Sequence, residues 1–338
     1  MSNANQIKTV TIQDVARYAN VSTATVSRAL SAPESVSKQK LDAVRHAVQS
    51  TGYRVNRAAR SLRTQRSNTV LALLPTLANP FFSQVLKGLV DRLTPAGQAL
   101  MVAETEQLQG AGDDLIAYLE EQRADGVIVL DGGLPISTME RLRASPHAAQ
   151  VVFACEWPEQ GGFPSVRSAN ANGSRLAVQH LYDLGHRHIA HVTGPKDNVL
   201  TKIRRQSFIE ICENLRLTPH VIEGDFSLNS GSVAASQILA MEMVPTAVFC
   251  ASDVIAFGLF SGLTGAGVSV PGDISVIGFD DIEYCEHFIP PLTTIRQDRG
   301  TLGRAAADLL LRRSSLAGSE HIEEIPVELV LRASTQAI

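Results

Sequence analysis

The stretch Val21-Ser22-Thr23-Ala24-Thr25-Val26-Ser27-Arg28-Ala29-Leu30 decides the fold of the N-terminal part of the chain. Ser22 carries a short hydroxyl that can accept from backbone N–H groups at a helix start, which predicts a helix from Thr23. Val26 and Leu30, four apart, share one inward face. Thr23, Ala24 and Arg28 are left on or near the first turns, where small side chains let a helix lie in a DNA major groove. The stretch reads as the second helix of a helix-turn-helix.

The flanks agree. Thr11-Ile12-Gln13-Asp14 places a capping hydroxyl three residues before an acid and opens a short helix whose apolar face is Val15, Ala16 and Ala19, ending at Asn20. After Pro33 a third helix is predicted from Ser37, with Leu41, Val44, Ala47 and Val48 at helical spacing and Gly52 as its stop. Three short helices make a head of roughly 50 residues, the size of a small DNA-reading module.

Charge separates this head from the rest. Residues 1–68 hold 11 Lys and Arg against 3 Asp and Glu, a net +8, whereas the remainder holds 19 against 31, a net −12. A basic head on an acidic body concentrates attraction for phosphate in one segment. At 338 residues the chain suits two or three domains, and 44% hydrophobic with 19% charged residues excludes a disordered chain. Apolar runs fall short of the roughly 18 residues of a spanning helix. The first residues lack a basic region followed by an apolar one, so a cytoplasmic protein is expected. Cys155, Cys212, Cys250 and Cys285 are far apart with no Cys-x-x-Cys pair and read as buried thiols.

From Thr69 onward, β-rich apolar runs alternate with helical stretches: 70–74, 99–103, 126–130, 151–154, 189–192, 247–250 and 274–279. Such alternation predicts parallel sheets covered by helices, with polar loops converging at the carboxyl ends of the strands. Glu156-Trp157 follows one such strand, where the indole could lean over a ligand and the carboxylate accept from it. Asp280 and Asp281 follow another, and the strand-end rule favours Asp280 as the ligand contact, with Asp281 left to structure. His186, His188 and His191 form a His-x-His-x-x-His run, but His188 and His191 fall on opposite faces of a strand, which argues against one shared metal. No metal and no cofactor are expected, since phosphate loops, dinucleotide fingerprints and nucleophile elbows are missing. Nothing argues for an enzyme.

The run from Thr11 to Leu30 resembles the head of LacI/GalR-family bacterial repressors, and the likeness continues through nearly the whole chain. Gly185-His186-Arg187, Gly194-Pro195, Pro245-Thr246-Ala247-Val248, Ser275-Val276-Ile277-Gly278-Phe279-Asp280-Asp281 and Pro290-Pro291-Leu292-Thr293-Thr294-Ile295 carry it. Within the family, Ser22 to Leu30, Glu223-Gly224-Asp225-Phe226 and the Phe249 segment are most similar to the cytidine-repressor-like branch. The resemblance implies a helix-turn-helix head over 1–55, a hinge helix and linker over 56–68, and a two-lobed α/β body of periplasmic-binding-protein type over 69–338. The lobes would hold about 69–167 plus a return near 299–325, and 168–298 plus the last strand. It further implies DNA contacts at Thr11, Ser22, Thr23, Ala24, Thr25, Ser27 and Arg28 in the head, and at Asn56, Ala59 and Leu62 in the hinge. There Leu62 takes the place of an apolar wedge that opens a minor-groove step.

For the cleft, the resemblance implies effector contacts at Phe81, Glu156, Arg204, Phe226, Ser252, Asp280 and Gln297. Arg204 offers fork-shaped donors for paired hydroxyls or a carbonyl, with Arg205 as its competitor, and Asp280 accepts from adjacent hydroxyls. Phe81 and Phe226 can stack on a sugar face or a base, though such residues are as often plain core. Asp253 beside Ser252 also aligns with a ligand-facing position, while Ser252 is shorter than the asparagine often found there. The implied partners are a near-palindromic double-stranded DNA operator, a sugar, polyol or nucleoside effector, and a second copy of the chain; a membrane is not among them. Without a terminal leucine heptad, a dimer is favoured over a tetramer. A two-lobed binding protein without a regulatory role, or an enzyme on the same fold, remains the alternative.

Overall fold

A computed structural model describes residues 10–54, 66–109, 115–312 and 321–338. The chain divides into two compact units, Met1–Ser67 and Asn68–Ile338. In the first, α1 (Ile12–Tyr18), α2 (Thr23–Ser31) and α3 (Lys38–Thr51) enclose a small core of Val15, Ala16, Val26, Ala29, Val44 and Ala47. The caps set its boundaries. Asp14 Oδ2 accepts from Thr11 N at 3.0 Å, Thr25 N donates to Ser22 Oγ at 3.1 Å, and Gly52 ends α3 in the left-handed region at φ 68°.

The second unit contains two six-stranded sheets. Its elements in order are β1 (Thr69–Leu74), α4 (Phe81–Leu93), β2 (Ala99–Glu104), α5 (Thr105–Gln109), α6 (Leu115–Glu120), β3 (Gly126–Val129), α7 (Ile136–Ala144), β4 (Val151–Ala154) and β5 (Ser165–Ser168). The chain then crosses to the second lobe: α8 (Asn170–Asp183), β6 (Ile189–Val192), α9 (Val199–Asn214), β7 (His220–Ile222), α10 (Leu228–Leu239), β8 (Ala247–Cys250), α11 (Asp253–Gly265), β9 (Ser275–Asp280) and β10 (Thr293–Gln297). It returns through α12 (Arg299–Leu311) and β11 (Ile322–Ile325), and ends in β12 (Val327–Val330).

The first sheet has the order β11-β5-β4-β3-β1-β2 and is parallel throughout. The second has the order β12-β10-β9-β8-β6-β7 and is parallel except that β12 runs antiparallel to β10. The expected parallel sheets are thus present, with one antiparallel edge strand added to the second. Each sheet is packed on both faces, by separate clusters around Leu74 and Leu73 in the first lobe and around Val248 and Phe249 in the second. Burial of both faces explains why the central strands read as unbroken apolar runs. Strands β5, β7, β10 and β11 carry Ser, Arg, His, Thr, Gln or Glu and are not among the apolar runs of the sequence, whereas β12 is the last strand expected in the second lobe. No helix among the described residues is long and apolar enough to cross a membrane.

Candidate functional site

The cleft is assembled from the carboxyl ends of strands in both lobes. One cavity is lined by Asn79, Phe81, Phe82, Cys155 and Glu156 from the first lobe and by Leu200, Arg204, Phe226, Ser252, Asp280 and Gln297 from the second. Phe81, Glu156, Arg204, Phe226, Ser252, Asp280 and Gln297, the seven effector contacts implied by the resemblance, therefore meet in one place, while Asp253 does not join them. Phe81 opens α4 after β1, Glu156 follows β4, Ser252 follows β8, and Asp280 and Gln297 close β9 and β10.

Arg204 is its centre. The side chain is 2% exposed, lies 3.7 Å above the Phe279 ring, and is aimed by two bonds: Nε donates to Asn170 Oδ1 at 3.0 Å and Nη1 donates to the Ala251 carbonyl. Nη2 is buried with no hydrogen-bond partner among the described residues. Burial pulls the guanidinium down from its ordinary value, opposed by the nearby Asp280, Glu156 and Asp253 carboxyls. Asp280 Oδ1 accepts from Gln297 Nε2 at 2.6 Å, and burial raises its carboxyl against the pull of Arg204. Glu156 Oε2 accepts from Gly132 N at 3.0 Å while burial pushes its pKa up to about 7. Gly132 is required there, because a Cβ would come within 2.8 Å of the Trp157 carbonyl. Cys155, Phe226 and Asp280 line this cavity at φ 66°, 65° and 123°, so backbone strain gathers at the cleft.

Several neighbours do other work. Asp281 accepts from Arg296 Nε at 2.6 Å and Arg332 Nη2 at 2.7 Å, and its carbonyl accepts from Arg299. It is the structural member of the acidic pair. Asp253, expected to face ligand, is instead fully buried behind the cavity, accepting from Ile282 N, Cys285 Sγ and Thr294 Oγ1. Burial and the nearby Asp280 both raise its carboxyl. Ser252 lines the cavity but also caps α11, accepting from Ile255 N at 3.3 Å. Trp157 does not lean over the cleft: it packs on the first-lobe core with the Arg167 guanidinium 4.1 Å from its ring. The histidines are dispersed in role. His186 bonds Thr246 and the Gln336 carbonyl, His191 bonds the Phe249 carbonyl and stacks on its ring, and His188 is exposed. Sequence reasoning missed Asn79, Phe82, Cys155 and Leu200 in the lining and Asn170 behind Arg204. Phe82, beside Phe81, and Cys155, beside Glu156, had a local signal.

In the head, Thr11, Ser22, Thr23, Ala24 and Arg28 are exposed, Thr25 and Ser27 half-buried, and Val26 and Ala29 buried. Arg28 Nε reaches back to the Ala24 carbonyl at 3.4 Å. Asn56, Ala59 and Leu62 lie outside the described residues.

A three-helix head of helix-turn-helix form and a two-lobed body with a polar cleft, in one chain, define a ligand-responsive DNA-binding regulator. Residues 11–56 match the bacterial regulatory proteins of the lacI family, and residues 178–335 match a periplasmic binding protein-like domain. The chain is 33% identical to the HTH-type transcriptional repressor CytR of Escherichia coli (strain K12) over 100% of both chains. It is 35% identical to the repressor PurR of Vibrio cholerae serotype O1 (strain M66-2), covering 95% of this chain and 97% of that one. A crystal structure of the lac repressor dimer bound to operator and the anti-inducer ONPF superposes with a TM-score of 0.85 at 32% identity, covering 98% of this chain and all of that one. The chain belongs to the lacI family of bacterial transcriptional repressors.

Proposed function

We propose that the chain is a cytoplasmic, homodimeric repressor that reads a near-palindromic operator with paired heads and is controlled by a sugar, polyol or nucleoside held in the interlobe cleft. The observation that carries this reading is the convergence of Arg204, Asp280, Glu156 and Gln297 with Phe81 and Phe226 in one cavity. Donors, acceptors and aromatic faces together suit a hydroxylated ring. The operator-bound dimer of the lac repressor supports the two-fold arrangement.

The cavity holds only about 40 Å³, room for a few waters. A sugar or nucleoside enters by parting the lobes or turning the phenylalanines, and so binds two lobe arrangements unequally. That inequality is what allows an effector to shift DNA affinity. In the head, Ala24 suits a thymine methyl and Arg28 a guanine, with Thr23 at a base edge. Thr11, Ser22, Thr25 and Ser27 are assigned to the same surface, and Asn56, Ala59 and Leu62 to the minor groove at the operator centre. Binding without turnover is favoured by the nucleophiles present: burial raises the Cys155 thiol, keeping it neutral, and the Ser252 hydroxyl caps a helix.

Selection of DNA from a random pool with the full chain is expected to yield a two-fold symmetric consensus. Anisotropy titrations of that site against sugars, polyols and nucleosides should then find a compound that changes operator affinity and is recovered unchanged. Asymmetric selected sites, or conversion of the compound, would contradict the reading.

A further inference from the structure

Helix α9 carries adjacent arginines, and only Arg204 serves the cleft. Thr201, Lys202 and Arg205 fall on a neighbouring stripe of the same helix at three- and four-residue spacing, and with Thr193, Lys196 and Glu223 they line a second cavity of about 430 Å³. Neither Lys196 nor Arg205 has an ion-pair partner among the described residues. Lys202 Nζ donates to Glu159 Oε1 of the first lobe at 2.6 Å, but both side chains are about half exposed, so that pair exchanges cheaply.

The second observation lies at the floor. Thr201 is 3% exposed and its Oγ1 is buried with no hydrogen-bond partner among the described residues. An unpartnered buried hydroxyl bears its desolvation cost without return, which is unusual unless something else completes it. The helix end itself is not the holder, since Asn198 Oδ1 already accepts from Leu200 N at 2.8 Å and Thr201 N at 3.2 Å.

We propose that this cavity is an accessory site for the phosphate group of a small hydroxylated phosphate monoester. Lys196, Lys202 and Arg205 take the phosphate, the Thr201 hydroxyl donates to one of its oxygens, and the Glu223 carboxylate accepts from a hydroxyl of the organic part. The site shares a wall with the effector cleft. A Cβ on Gly194 would lie 2.3 Å from Phe226 Cζ and 2.6 Å from Thr201 Oγ1, so the glycine packs between a ring that lines the cleft and the buried hydroxyl of a residue that lines this cavity. Phosphate drawing on Lys202 competes with Glu159 and so loosens a tie between the lobes, a regulatory consequence that rests on the effector reading above.

The test is calorimetry on the full chain at fixed ionic strength with glycerol 3-phosphate, inorganic phosphate and glycerol. The parent is expected to bind glycerol 3-phosphate at least tenfold more tightly than glycerol. Lys196→Gln and Arg205→Gln should each weaken it at least fivefold, and Thr201→Val at least threefold without lowering Tm. Asp280→Asn, which removes charge from the cleft, should leave this binding within twofold; its loss there would place the phosphate in the cleft and overturn the proposal. Binding no tighter than glycerol, or unchanged in Lys196→Gln with Arg205→Gln combined, would overturn it as well. The effector reading is untouched by either result, because it is judged by operator affinity against an effector that need carry no phosphate.

Discussion

Arg28 in the head and Arg204 in the body are both assigned to recognition, yet they sit in opposite surroundings. Arg28 is exposed on α2 and reaches back to the Ala24 carbonyl of its own helix. Arg204 is buried over Phe279, fixed by Asn170 and Ala251, and faces three carboxyls. The difference follows from what each must meet. A DNA surface supplies its own charge and water, so its reader needs only shape and an exposed donor. A small effector must be gripped by groups already stripped of water, and those groups must be held in place by others.

The largest expected effect comes from breaking the buried side. Arg204→Ala leaves Asp280 and Glu156 without their central cation and should destabilise the body by about 3 kcal/mol or more, read as a lower midpoint in urea. The head's own unfolding, followed separately, should not move.

The carboxyls of the cleft make the same contrast in pH. Burial raises Glu156 from 4.5 to about 7, so the folded state holds a proton that the unfolded chain has lost. Its contribution is fully present below pH 4.5 and is lost as pH rises through about 7, amounting to about 3 kcal/mol by linkage. Glu156→Gln should flatten that part of the stability profile of the body between pH 4.5 and 7; an unchanged slope would mean that Glu156 is ionised in the fold.

Smaller effects are expected in the head. Arg28→Ala should weaken specific operator binding by about 1 to 3 kcal/mol and relax one base pair per half-site in a repeated selection. Equal weakening on every sequence would assign Arg28 to phosphate. Ser22→Ala removes the acceptor for Thr25 N and should cost the head about 1 kcal/mol in thermal unfolding, with effector affinity unchanged.

The same contrast governs what could be read in advance. The start of α2 at Thr23, the end of α3 at Gly52 and the inward faces of all three helices follow from caps and spacing within a few residues. Strands β1, β3, β4, β6, β8 and β9 were legible because burial on both faces writes an apolar run. Strands β5, β10 and β11 were not, since Ser165-Val166-Arg167-Ser168, Thr293-Thr294-Ile295-Arg296-Gln297 and Ile322-Glu323-Glu324-Ile325 break the apolar run with polar or charged residues. In the cleft, the strand-end rule separated Asp280 from Asp281. It could not show that Asp253 turns inward to hold the Ile282 loop and Thr294, that Arg167 claims Trp157, or that Asn170 aims Arg204 across 34 positions. Those relations depend on segments brought together only by the sheets.

The central claim is that reading and sensing reside in separate side chains joined by a lobe equilibrium. It is tested most directly by measuring operator affinity against effector concentration for the parent, Arg28→Ala and Asp280→Asn. Asp280→Asn should match the parent's effector-free operator affinity and lose the response, whichever its sign, while Arg28→Ala should lose affinity and keep the response. An intact response in Asp280→Asn would contradict the account.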